Sequence, residues 1–195
     1  EVNAGSMADI AFLLLIFFLV TTTIEKDSGL NRKLPPMEEE DQPDVIIKQK
    51  NIFTVLLNGK DQLLVEDELM EIKDLRVAAV EFLDNNGDKS CTYCQGSKDP
   101  TSSDNPDKAI ISLKNERETS YAAYISVQNE LVAAYNVLRN RRALELGPQQ
   151  GFREMNFVEM QQNYKDARFV GNKEKLKAVI DQIKLEFPQK LSEVQ

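Results

Sequence analysis

The chain has 195 residues, a net charge of −8 and no histidine. The missing imidazole removes histidine-based acid–base catalysis and most zinc sites, and the acidic balance argues against nucleic acid and anionic lipid surfaces as partners. No G-x-S-x-G, phosphate-loop or dinucleotide motif occurs, so no enzymatic activity, cofactor or metal is expected.

Asp9 interrupts an otherwise unbroken apolar run from Met7 to Val20, which softens through Thr21-Thr22-Thr23-Ile24 before charge returns at Glu25. Crossing hydrocarbon takes roughly 20 residues, and residues 3–23 reach that length with one ionisable side chain among them. An acid at membrane depth costs on the order of 3 kcal/mol on insertion scales, so its presence points to function. Apolar surroundings favour the neutral form of a carboxylic acid, and Asp9 is therefore a candidate proton acceptor and donor. The run is too long for a signal peptide and lacks a small-residue cleavage site. It is also too uniformly apolar for the core helix of a soluble protein. A plain anchor with a snorkelling Asp is the competing reading. At about 100° per residue, Gly5, Ser6, Leu13, Ile16, Val20 and Thr23 share the Asp9 face. Ser6 lies within one turn of the carboxyl, although Gly5-Ser6 also suits a helix N-terminus, and Gly5 permits close approach of another helix. The chain begins at Glu1 without a methionine, so a short preceding segment is expected, and flanking charge does not decide orientation.

Three segments follow from this reading: a transmembrane helix over 1–24, an extended acidic tether over 25–44 and an α+β domain over 45–195. The tether contains Leu34-Pro35-Pro36 and Glu38-Glu39-Glu40-Asp41, extended and solvated chemistry. Val45–Lys48 and Ile52–Leu57 read as strands, Asn58-Gly59 as a turn, and Gln62–Val65 as a third strand. Asp67 is placed to cap a helix carrying Leu69, Ile72, Leu75, Val80 and Leu83.

Residues 84–107 form a loop insertion rich in Asn, Asp, Ser and Pro. It holds both cysteines, Cys91 and Cys94. A redox motif would need a strand before it and a helix opening at Cys91, and zinc would need two further ligands. A local disulfide closing a surface loop is the bland alternative, and it suits an oxidising compartment. Ala109–Leu113 reads as a buried strand. Thr119 can cap a long helix through Tyr124, Val127, Leu131, Tyr135 and Leu138, stopping near Gly147-Pro148. A helical stretch is expected around Val158–Tyr164, a second amphipathic helix over Lys173–Phe187, and a final strand over Lys190–Val194. The order implies a mixed sheet with helices on one face.

The segment Asn3-Ala4-Gly5-Ser6-Met7-Ala8-Asp9-Ile10 with its Leu/Ile/Phe run resembles the membrane signature of the ExbD/TolR family, Asn-x-x-Pro/Ser-x-x-Asp. Leu34-Pro35 resembles the Leu-Pro pair that follows the span in that family, and the elements between Val45 and Leu138 fit its small periplasmic domain. Ser6 stands where many relatives carry proline, and the insertion and the segment around 143–175 exceed the compact family domain. The resemblance implies a single-pass protein of the bacterial inner membrane with a cytoplasmic N-terminus and a periplasmic domain. Its partners would be a second copy, an ExbB/TolQ-like ring and a TonB-like periplasm-spanning protein. Asp9 would handle protons, with Asn3, Gly5 and Ser6 on the proton path or helix contact and Leu34 and Pro35 at the tether. The alternatives are a TolR-like envelope-integrity subunit, or a membrane-anchored periplasmic scaffold without proton chemistry.

Overall fold

The chain divides into two compact units, Glu1–Asp44 and Val45–Gln195. The computed structural model describes residues 4–21 and 47–194. Thr23, the tether with Leu34 and Pro35, and Val45-Ile46 of the first expected strand lie outside the described residues.

In the first unit α1 spans Ala4–Thr21. Beyond Asp9 its sequence is apolar on every face as far as Val20. Among the described residues no helix is long and apolar enough to cross a membrane. The 18 residues of α1 rise about 27 Å, just short of the roughly 30 Å of bilayer hydrocarbon.

The second unit is α+β, built on a five-stranded mixed sheet of order β3-β2-β1-β4-β5. Ile47 and Lys48 form no strand, contrary to expectation. The chain tightens there into a 3₁₀ turn, Gln49–Asn51, closed by the Asn51 N–H on the Lys48 carbonyl at 2.9 Å. β1 (Ile52–Leu57) alternates as its sequence requires, burying Phe53, Val55 and Leu57. Asn58 then reverses the chain, its Oδ1 accepting from the N–H groups of Lys60 and Gln62 at 2.9 Å each, an Asx turn. β2 (Leu63–Val65) returns antiparallel to β1.

Glu66 and Asp67 both adopt left-handed backbone, φ 50° and 68°. They are the two turn residues of a hairpin that brings β3 (Glu68–Met70) back with Val65 opposite Glu68. Asp67 therefore caps nothing, and Leu69 lies on a strand, 71% exposed. α2 begins later than expected and runs Ile72–Asp84 behind Glu71, which makes no side-chain cap bond.

After the irregular insertion, β4 (Ile110–Asn115) pairs parallel with β1, setting Phe53 beside Ile111 and Val55 beside Leu113. α3 (Tyr121–Leu146) is capped by Ser120, whose side chain accepts from the Ala123 N–H. Thr119, the expected cap, instead donates its hydroxyl to the Leu57 and Asn58 carbonyls at 3.1 Å, tying the α3 entrance to the end of β1. One sheet face packs on α2 and α3 through Leu75, Ala79, Leu83, Val127, Leu131 and Tyr135.

Beyond α3 the chain forms a 3₁₀ turn (Gly147–Gln150), α4 (Phe157–Lys165) and α5 (Lys173–Glu186). Asn156 and Glu159 close a capping box on α4, and Asn172 caps α5. Their apolar stripes meet the end of α3 in a second core of Ala143, Phe157, Met160, Leu176, Ile180 and Ile183. Pro188 follows α5 and lacks the N–H that another turn would need. β5 (Leu191–Val194) then pairs parallel with β4.

Candidate functional site

Two places in the described chain gather the residues singled out by the sequence. The first is α1. Asp9 is its only ionisable side chain, and helical spacing sets Gly5, Asp9, Leu13 and Ile16 along one stripe. Every side chain described on α1 is exposed within this chain, including Ile10 at 60%, Leu15 at 64% and Phe17 at 60%. An apolar helix with this much unburied surface needs a non-aqueous solvent or other helices around it. Ser6 and Val20 belong to α1, and Asn3 lies outside the described residues.

The second place is the insertion. Asn85 is 1% exposed and fills its amide completely. Its Nδ2 donates to the Asp99 and Ser103 carbonyls at 2.8 Å each. Its Oδ1 accepts from Ser97 Oγ and the Asp99 N–H at 2.9 Å each. Asn86 brackets Cys91, accepting from its N–H at 2.9 Å and donating to its carbonyl at 2.8 Å. Cys91 and Cys94 are joined in a disulfide. No strand precedes Cys91 directly and no helix opens there, so the thioredoxin-like arrangement is absent.

Charge pairs anchor both ends of the loop. The Asp104 carboxylate, 1% exposed, takes Lys50, Lys48 Nζ at 3.2 Å and Asn51 Nδ2 at 3.3 Å. Lys50 is the main cause that holds its carboxyl below the ordinary carboxylate value, against the opposing effect of burial. Burial acts against the Asp88 carboxylate too. Donors on Lys108 and Ser90 outweigh it and hold that carboxyl at about 2. Asp84 at the end of α2 accepts both terminal nitrogens of Arg141 at 2.7 Å, a two-point pairing that only a guanidinium supplies.

Between the cysteines, Tyr93 reaches across to the far end of the chain. Its ring meets Phe187 edge-on at 5.3 Å between centroids, and Arg142 lies 5.1 Å over it. Arg142 in turn grips Glu186 at 2.6 and 3.1 Å and Glu145 at 2.8 Å. The Glu186 bond is the chief reason its guanidinium pKa is raised. Arg139 donates twice to the Phe187 carbonyl, at 3.0 and 2.7 Å. Tyr135 donates to the Lys190 carbonyl at 3.3 Å. These groups clamp residues 186–190, the link that aims β5 at β4. Sequence reasoning missed this clamp because Tyr93, Arg139 and Arg142 converge only in the folded chain. Only the placement of Tyr93 between two cysteines hinted at a fixed ring.

Among the described residues no group of three or more acidic or cysteine side chains is arranged to hold a metal ion. No curated protein matches the chain. The family model described as biopolymer transport protein ExbD/TolR matches residues 1–140. The match takes in α1 with Asp9, the sheet through β4 and most of α3. It ends where Arg141, Arg142 and the second core begin. Members of that family are subunits of energising complexes for biopolymer transport rather than known enzymes. The chain belongs to the ExbD/TolR family.

Proposed function

We propose that this chain is the proton-handling subunit of an inner-membrane motor of the ExbB–ExbD type, which uses the proton motive force to energise TonB-dependent transport across the outer membrane. The observation that carries the reading is Asp9 as the sole ionisable group of a helix whose described apolar side chains are all exposed. In this reading α1 and its flanking residues cross the membrane with the N-terminus in the cytoplasm and the α+β domain in the periplasm. Two copies place their α1 helices inside a ring of ExbB/TolQ-like subunits.

The energetics fit a carboxyl in that position. A unit charge crossing 100 mV releases about 2.3 kcal/mol. An ionised carboxylate in hydrocarbon must find a polar partner, whereas a protonated one can face apolar side chains. Proton uptake and release at Asp9 therefore change which surface of the ring α1 prefers, a local charge event that biases packing. Gly5 on the same stripe lets a neighbouring helix approach closely. Family resemblance assigns Asn3 and Ser6 to the proton path or helix contact, and Leu34 and Pro35 to the tether and partner contact. The disulfide suits the oxidising periplasm.

The test is outer-membrane nutrient uptake in cells carrying Asp9→Asn, with co-purification of the ring subunit in the same strain. Lost uptake with an intact complex supports the proton-handling role. Normal uptake together with normal envelope integrity would leave α1 an anchor. Weakened assembly would identify Asp9 as a structural contact in a periplasmic scaffold. An envelope-integrity defect with normal uptake would assign the TolR-like branch.

A further inference from the structure

The segment beyond the family match differs in charge from everything before it. Residues 141–195 carry ten Lys and Arg against eight Asp and Glu, while residues 1–140 carry fourteen against twenty-four. The second core is thus a cationic appendage on an acidic protein. It encloses a surface cavity of about 380 Å³ between the 3₁₀ turn after α3 and the loop entering α5, within the size range of small-molecule sites.

The cavity is lined by apolar side chains, Phe152, Met155 and Phe169, and by two cations, Arg153 and Lys175, with no acid in its lining. Among the described residues neither cation forms an ion pair. Arg139, Arg141 and Arg142, by contrast, are all engaged by carbonyls or carboxylates. Val170 on the cavity lining is 98% exposed, extending the apolar surface outward.

Two glycines permit this shape. Gly151 turns the chain at φ 91°, a left-handed conformation that costs glycine little. A Cβ on Gly171 would lie 2.5 Å from the Phe169 ring, so only glycine lets that ring lie so close to the backbone. The Asn172 side chain already caps α5 by accepting from the Lys175 N–H, and the helix terminus itself is not the source of the anion preference.

We infer that this cavity binds a small organic anion, a carboxylate or phosphate carried on a flat apolar body. The body packs on Phe152 and Phe169 while Arg153 and Lys175 hold the charged group. The site lies outside the family-matched region, and it stands or falls independently of the role proposed for Asp9.

The test titrates phenyl phosphate into the full chain in zwitterionic phosphatidylcholine nanodiscs, followed by calorimetry, with inorganic phosphate and phenol as half-probes. Phenyl phosphate should saturate with Kd below about 1 mM, and each half-probe should bind at least about tenfold more weakly, since each forfeits one class of contact. The surface substitution Arg153→Gln/Lys175→Gln should weaken phenyl phosphate by about tenfold or more with circular dichroism unchanged. Three results would each overturn the inference: no saturable binding, phenyl phosphate affinity indifferent to the double substitution, or inorganic phosphate bound as tightly as phenyl phosphate.

Discussion

The Tyr93 hydroxyl donates a 2.9 Å hydrogen bond to the carbonyl of Glu186, which lies 93 residues further along the chain. Through it the disulfide loop of the insertion holds the end of α5. The insertion lies within the family-matched stretch and the C-terminal appendage beyond it, and the two pack against each other through this contact. Tyr93→Phe removes the bond and keeps the ring, and should cost about 1 kcal/mol. Tyr93→Ala also removes the contacts with Phe187 and Arg142, and should cost about 2–3 kcal/mol. Hydrogen exchange of the full chain should show the loosening concentrated at residues 186–194, with β1 and β4 still protected.

The disulfide constrains a very short loop, Cys91 and Cys94 being separated by 3 in sequence. Chain-entropy arguments give such a closure about 2 kcal/mol. Cys91→Ser/Cys94→Ser should lower stability by that order in urea titration. Because Asn86 holds Cys91 by both backbone groups, the loop should keep part of its shape. Adding a reductant to the double-Ser protein should then change nothing further.

Asp84 carries a different load. Its carboxylate is 6% exposed and meets an Arg141 side chain that is 27% exposed, so truncation strands a half-buried guanidinium. It also accepts from the Gln95 N–H at 3.2 Å, so α2, α3 and the insertion all lose a contact together. Asp84→Ala should cost about 2 kcal/mol, below the roughly 3–5 of a fully buried pair. The midpoint of urea unfolding at constant slope checks this.

Acid should loosen the insertion first. The Asp88 carboxyl is depressed from 3.8 to about 2, with burial opposing and Lys108 and Ser90 prevailing. The Asp104 carboxyl shifts the same way, with Lys50 as its main cause. A folded-state value below the unfolded one contributes stability that is fully present above the unfolded value, and that is lost as pH falls through the folded value. The window for Asp88 runs from about 4 down to about 2. Unfolding midpoints measured at pH 5, 3.5 and 2.5 should fall less steeply in Asp88→Asn than in the parent chain.

Elements with a local cause were legible in the sequence. β1 alternates for six residues and occupies Ile52–Leu57 as read. α3 stops at Gly147-Pro148, and α5 stops before Pro188. Errors fell where local and tertiary signals compete. Leu69 and Ile72 share a helical period, yet the left-handed pair Glu66-Asp67 spends Leu69 on a three-residue edge strand. Thr119 and Ser120 both suit a cap, and Leu57 claims the threonine. The parallel pairing of β1 with β4 and of β4 with β5 left no trace in any window, because a crossover sets it. At the sites, Asp9 stands out because an acid in an otherwise apolar run violates the local pattern. The clamp of Tyr93, Arg139 and Arg142 obeys every local rule and was silent.

The central claim concerns a proton on Asp9, and the most direct measurement is proton flux. Liposomes carrying the chain with its ring subunit should be loaded with a pH-sensitive dye, energised by a potassium diffusion potential, and compared with liposomes carrying Asp9→Asn and Asp9→Glu. The account predicts flux in the parent complex, flux reduced but present with Glu, and none above empty liposomes with Asn. Flux through the assembled Asp9→Asn complex equal to that of the parent would contradict it.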